Sequence, residues 1–180
     1  MKKSVCLVLA IFLIPYIGFS QEKIPVQLSN VQLNINLLAP SIILEKSITE
    51  NTSATFGFGL SPLHDYNEIT GNEISINPFF RTSFRNYYPR KKVEKELKPN
   101  SGNYIAGVAG YYFGSIVNSS DYASFDQSNS YYVGAMWGMQ RNYQSGIHLG
   151  FSIGSGFGAG ENMNLKFVGV GEFELGFTIK

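Results

Sequence analysis

A transmembrane, up-and-down antiparallel β-barrel of about eight strands is the fold this sequence predicts, on three observations. Apolar and other residues alternate with period two through most of the chain after Gln21. Charged residues make up 15% of the 180, well under the ~25% of an ordinary soluble domain. Glycine (19), phenylalanine (14) and tyrosine (11) are abundant, a composition that suits a tightly curved sheet better than a helical bundle. The mean hydropathy of −0.03 is near zero, as expected where lipid-facing and inward-facing residues average out along each strand. The length suits one domain.

The first element is the only helical one. Lys2 and Lys3 are followed by an apolar run from Val5 to Phe19, and Gly18-Phe19-Ser20 is a small-x-small site before Gln21. The run is shorter than the ~20 residues a membrane-spanning helix needs, so residues 1–20 read as a cleaved signal peptide and 21–180 as the barrel. Cys6 lies inside the run and leaves with it, so the mature chain has no thiol chemistry. Residues 1–20 hold two of the 14 basic side chains and none of the 13 acidic ones, so the remainder carries a net charge of −1. Nucleic-acid binding, which wants a clear basic excess, is not expected.

Strands follow in order. In 31–37, Val31, Leu33, Ile35 and Leu37 alternate with Gln32, Asn34 and Asn36; 41–48 is a less regular strand. In 53–60, Ala54, Phe56, Phe58 and Leu60 alternate with Ser, Thr and Gly. In 73–85, Ile74, Ile76, Phe80 and Phe84 alternate with polar residues that include Arg81 and Arg85, and Pro78 calls for a bulge or a strand end. Segments 103–115 and 130–142 are again less regular, with Tyr131, Val133, Ala135, Trp137 and Met139 on the apolar face of the second. Ile147, Leu149, Phe151 and Ile153 mark the next strand. In 165–180, Phe167, Phe173, Leu175, Phe177 and Ile179 oppose Lys166, Glu172, Glu174 and Lys180, while Val168 and Val170 share the charged face.

Connection lengths orient the barrel, since membrane barrels pair short periplasmic turns with longer outer loops. Thr49–Thr52 and Asn142–Ser145 read as short periplasmic turns, and 61–72, 116–129 and 155–163 as outer loops. The connection from Tyr87 to Gly102 is the exception. It is long and holds Arg90, Lys91, Lys92, Glu94, Lys95, Glu96 and Lys98, a candidate turn for docking a partner.

Alternation alone also fits a soluble barrel, with charge outside and apolar groups within. Here the polar face is mostly Gly, Ser, Asn and Thr, which suits a narrow lumen, while the Phe/Leu/Ile face is nearly unbroken and reads as lipid-facing. The pairs Tyr87-Tyr88, Tyr111-Tyr112 and Tyr131-Tyr132 are expected at the membrane interfaces. This register directs Glu45, Arg81, Arg85, His148, Lys166, Glu172 and Glu174 into the lumen. An eight-stranded barrel is just wide enough to be filled by side chains, so these charges are expected to pair as a plug.

The segments Asn34–Leu38, Ile76–Arg81, Tyr87–Pro89, Gly110–Gly114 and Phe173–Phe177 give the mature chain a resemblance to the small outer-membrane β-barrel proteins of Bacteroidota, a family of unknown function. The resemblance implies the barrel fold and an outer-membrane location, reached through the general secretory signal, and implies no reaction. Chemistry-bearing motifs are sparse. His148 and Ser152 lack the close His-x-Ser spacing of outer-membrane lipid A deacylases. His64-Asp65 is expected on a loop, and the glycine-rich Gly154–Gly160 reads as flexible outer loop. The expectation is therefore a non-enzymatic barrel without cofactor or metal, in contact with lipopolysaccharide and phospholipid. Its role would be structural, or that of an accessory subunit in a larger outer-membrane complex. A narrow pore or small-ligand binder is the second reading, and a lipid-modifying enzyme the third.

Overall fold

The computed structural model describes residues 26–67, 71–88, 97–118, 129–160 and 163–179. Residues 1–20, expected as a signal peptide, and Arg90–Glu96 of the charged turn lie outside the described residues. The strands are β1 (Val31–Asn36), β2 (Ser41–Ser47), β3 (Thr52–Asn67), β4 (Gly71–Tyr88), β5 (Gly102–Tyr112), β6 (Val117–Asn118), β7 (Ser130–Asn142), β8 (Ile147–Gly160) and β9 (Met163–Ile179). Each long strand pairs antiparallel with its chain neighbour. The ring closes where β1 meets β9, with Leu33 opposite Ile179 and Asn36 opposite Gly176. The two-residue β6 adds only to β4, beyond the end of β5, so the barrel has eight strands. Closure removes the sheet edges around the barrel wall, while β3 past Leu60 projects toward one end paired with β4 alone.

The short turns at one end follow local chemistry. Between β2 and β3, the Ile48 N–H donates to the Thr52 carbonyl at 2.9 Å, and the Thr49 and Thr52 hydroxyls share a 2.6 Å hydrogen bond. Between β7 and β8, the Gly146 N–H donates to the Tyr143 carbonyl at 2.9 Å, and Gly146 has φ = 89°, a conformation costly for any side chain. We call this the short-turn end and the opposite one the mouth.

Two stretches expected as outer loops are strand. β3 continues to Asn67 and pairs residue by residue with β4 from Gly71, which places His64 opposite Ile74 and Asp65 opposite Glu73. The run Gly154–Gly160 belongs to β8 and pairs with β7, from Gly154 opposite Met136 to Gly160 opposite Ser130. Glycine without neighbouring apolar bulk reads as loop, but a Cβ at Gly154 or Gly156 would press on the β7 backbone, so these glycines let two strands lie close. Pro78 sits in mid-strand. Its carbonyl accepts the Phe113 N–H at 2.9 Å, so its missing donor points to the same flank, past Tyr112 where β5 has ended.

The faces are inverted relative to a soluble barrel. Outward positions are apolar and exposed: Phe58 and Ile153 at 58%, Phe167 at 70%. Inward positions are polar and buried: Glu45, Asn34, Ser53 and His148 at 0%. Outward apolar residues on β8 run from Ile147 to Phe157. That span is about 33 Å along the strand at ~3.3 Å per residue, or about 25 Å of height at a tilt of ~40°. Near the short-turn end the outer wall becomes amphipathic. There the Trp137 indole N–H donates to the Tyr88 hydroxyl at 2.6 Å, and the Arg141 guanidinium donates to Asn103 Oδ1 at 2.9 Å.

The tyrosine pairs do not act as pairs. Period two sends one member out and its neighbour in. Tyr88 and Tyr131 are exposed, whereas Tyr87 is buried, and Tyr112 and Tyr132 stack within the barrel with ring centroids 6.0 Å apart. The inward apolar residues collect on one side of the lumen, where Tyr87, Tyr104, Ala106, Val108, Met136 and Val170 pack with Val26.

Candidate functional site in the barrel lumen

The lumen is built from inward positions of all eight long strands, and part of its bulk is fitted to glycines. Tyr104 lies directly across from Gly138, Tyr132 from Gly110 and Glu174 from Gly150. A Cβ on any of these glycines would collide with the side chain opposite. The glycine-and-tyrosine composition is thus in part a packing arrangement: these three large inward groups lie over neighbours without a side chain.

Six of the seven inward charges meet in one network. Glu45 accepts from the Ser53 hydroxyl at 2.6 Å, the Tyr87 hydroxyl at 2.8 Å and Gln140 Nε2 at 2.9 Å. Arg85 donates through Nη1 to Gln140 Oε1 at 2.6 Å, pairs with Glu45 at 3.7 Å and lies 4.6 Å over the Tyr104 ring. Arg81, nearer the mouth, pairs with Glu172 at 2.5 Å and reaches Glu174 at 3.8 Å. His148 connects to the set through Glu174 Oε2 at 2.8 Å. Lys166 shares the inward register but is exposed at the mouth, opposite Gly158, and joins no ion pair among the described residues. It lies past the narrow, filled stretch, so water solvates it.

Several members were not legible from charge. Gln140 bridges Glu45 and Arg85. Asn142 donates through Nδ2 to Gln32 Oε1 at 3.1 Å and to the Pro99 carbonyl at 3.0 Å. These amides sit at inward parity, the only signal the sequence offered. They fix Asn142 with its Oδ1 toward His148 Nδ1, 2.7 Å away. Both imidazole nitrogens thus face acceptors, Asn142 Oδ1 and the Glu174 carboxylate. Both contacts are hydrogen bonds only when the His148–Glu174 pair carries one proton beyond a neutral ring and an ionised carboxylate.

The short-turn end is closed. Residues 26–30 and 97–101 fold across it, with the Asn100 N–H donating to the Gln27 carbonyl at 2.8 Å and Asn100 Oδ1 accepting the Ser29 N–H at 2.6 Å. Asn100 holds φ = 59° here, and its carbonyl accepts from Gln140 at 2.9 Å, joining the closure to the charge network. Of the charged residues of the candidate docking turn only Lys98 is described; its N–H donates to the Asn142 carbonyl at 2.7 Å. Toward the mouth, two adjoining cavities of about 240 and 190 Å³ share Arg81, Tyr112 and Gly171.

His148 and Ser152 lie on the same inward face of β8. The imidazole is engaged on both sides by other groups, and Ser152 Oγ is buried without a hydrogen-bond partner among the described residues. Among those residues no three His, Cys, Asp or Glu side chains are placed to hold a metal ion. Fold and lumen together define an eight-stranded, side-chain-filled antiparallel β-barrel. No family model matches the chain, and neither does any curated protein or solved structure.

Proposed function

We propose that this chain is an integral outer-membrane β-barrel, without enzymatic activity, that serves as a structural element or as an accessory subunit of a larger outer-membrane complex. The observation that carries the reading is the inversion of faces. An apolar wall about 25 Å tall with a polar, charge-bearing interior is what a closed sheet needs in lipid, where backbone groups must be satisfied within the sheet and only the outside meets hydrocarbon. In water the same wall would expose Phe58, Ile153, Phe167 and their neighbours as a continuous apolar surface, far beyond what soluble monomers tolerate. The filled lumen and the closed short-turn end favour a sealed barrel over a pore. A barrel without a passage contributes through its outer wall and its ends, and the charged turn 90–98 is the segment best suited to reach a neighbouring protein.

The test is extraction from the native outer membrane in mild detergent, followed by mass spectrometry of what co-purifies and by planar-bilayer recording of the purified protein. The expected result is a membrane-fraction protein with a stoichiometric companion, lost on deletion of 90–98, and with no unitary conductance. Recovery in the soluble fraction would overturn the membrane assignment, and steady conductance steps would overturn the sealed lumen.

A further inference from the structure

The outer wall carries little charge, and that charge is placed at one end. Among the described residues, the outward positions of the eight long strands hold two charged side chains, Lys46 and Arg141. Both are basic and both lie at the short-turn end, on β2 and β7, which stand on opposite sides of the ring. Glu50, the one acidic residue in the described turns of this end, belongs to the β2–β3 turn, and β4 separates that hairpin from β5 and β7.

The hydrogen bonds around Arg141 leave donors over. Its Nη1 donates to the Gln140 carbonyl at 2.8 Å and its Nη2 to Asn103 Oδ1 at 2.9 Å, which holds the guanidinium plane and leaves three of its five N–H groups. A guanidinium only donates, so the Asn103 atom it meets is the oxygen, and Asn103 keeps both N–H groups of Nδ2. Tyr88, the cross-strand partner of Asn103, accepts the Trp137 indole N–H at 2.6 Å, so its own hydroxyl hydrogen is left to donate. Tyr88, Asn103 and Met139 form one row across β4, β5 and β7, and Arg141 is the next outward residue of β7. On the other side of that row stand Ile105, Trp137 and Ile153, large and exposed.

A guanidinium without a carboxylate partner, beside an amide and a hydroxyl with hydrogens to give, at the foot of an apolar wall, matches an amphiphile with an anionic head. An ammonium in the same head would meet donors where it needs acceptors. We propose that Arg141, Asn103 and Tyr88 form a headgroup site for an anionic phospholipid, its phosphodiester oxygens accepting from these side chains and its acyl chains lying along Ile105, Trp137 and Ile153. The proposal rests on the outer-membrane reading and specifies the lipid that this part of the wall selects.

The single tryptophan reports on the site. The purified full-length protein is inserted into phosphatidylcholine vesicles in which the same mole fraction of lipid is either brominated phosphatidylcholine or brominated phosphatidylglycerol. The bromines occupy the same acyl positions, so depth cancels in the comparison. Quenching of Trp137 should show phosphatidylglycerol preferred about fivefold, the effect of one basic side chain at an anionic lipid surface. Arg141→Gln should bring the preference close to parity. Tyr88→Phe, which removes a donor and no charge, should lower it as well, each variant being normalised to its own quenching by brominated phosphatidylcholine. Lys46→Gln removes the same charge across the barrel and should leave the preference unchanged. Equal quenching by the two lipids in the native protein, a preference undiminished in Arg141→Gln or in Tyr88→Phe, or an equal loss in Lys46→Gln would each overturn the proposal. Absence of quenching by brominated phosphatidylcholine would instead overturn the membrane reading beneath it.

Discussion

Arg85 shows how much of the lumen rests on a single side chain. It is 3% exposed, holds Gln140, faces Glu45 and Glu174, and covers the Tyr104 ring. Burying it is costly in itself, and the cost is offset only because its neighbours supply charge and acceptors on several sides. Removing one member therefore does more harm than removing a matched pair. Arg85→Met should destabilise the barrel by about 3–5 kcal/mol, the usual cost of leaving a buried partner uncompensated. Adding Glu45→Gln to that variant should recover part of the loss. Urea unfolding in detergent micelles measures both, and a double variant no more stable than Arg85→Met would show that the two groups are not energetically coupled.

At the level of the strand, the outer wall is the element to probe. Ile153 lies in the middle of β8's apolar row and Ile147 at its short-turn end. In lipid, Ile153→Arg should cost about 2–4 kcal/mol and Ile147→Arg about 0–1 kcal/mol, since the penalty follows depth. In water both positions are exposed and both changes would be close to neutral. Unfolding of the two variants in lipid vesicles reads the difference directly. This row was legible from the sequence because period two with one apolar face is unambiguous, as in Leu165–Ile179 and Ile147–Ile153. The strand ends were not. Gly154–Gly160 carries too few apolar side chains to declare a face, and the extension of β3 past Leu60 is dictated by cross-strand pairing that no local pattern encodes. The lumen was half legible. Charge at inward parity pointed to Glu45, Arg81, Arg85, His148, Glu172 and Glu174, whereas Gln140, Asn142 and Tyr87 are neutral and looked like any strand residue. Lys166 shows the converse, since parity gives a direction but not the depth that decides burial.

For the whole molecule, closure is the governing fact. The strand that opens the sheet and the one that completes it lie almost 150 residues apart in sequence (Leu33 opposite Ile179), so the ring can shut only after both ends of the chain are present. Most other pairings are between chain neighbours, which leaves β1 with β9 as the one distant contact to be made, and loop-closure entropy concentrates there. The segments that seal the short-turn end, 26–30 and 97–101, come from different parts of the chain and meet through Asn100. Shape and seal are thus completed together, in keeping with a barrel whose interior is a packed core.

The hydrogen bond from Trp137 to Tyr88 has a practical consequence. Trp137 is the chain's single tryptophan, on the outer wall near the short-turn end, with its indole N–H held by a residue of another strand. It is therefore a built-in fluorophore whose anchoring requires β4, β5 and β7 to be in register. On the proposed outer-membrane reading, its emission will move to the blue as hydrocarbon replaces water around the ring. Lipids brominated at graded positions along the acyl chain will quench it to degrees that give the depth of the ring. One unlabelled side chain can thus time the insertion of the sheet and measure how deep its short-turn end settles.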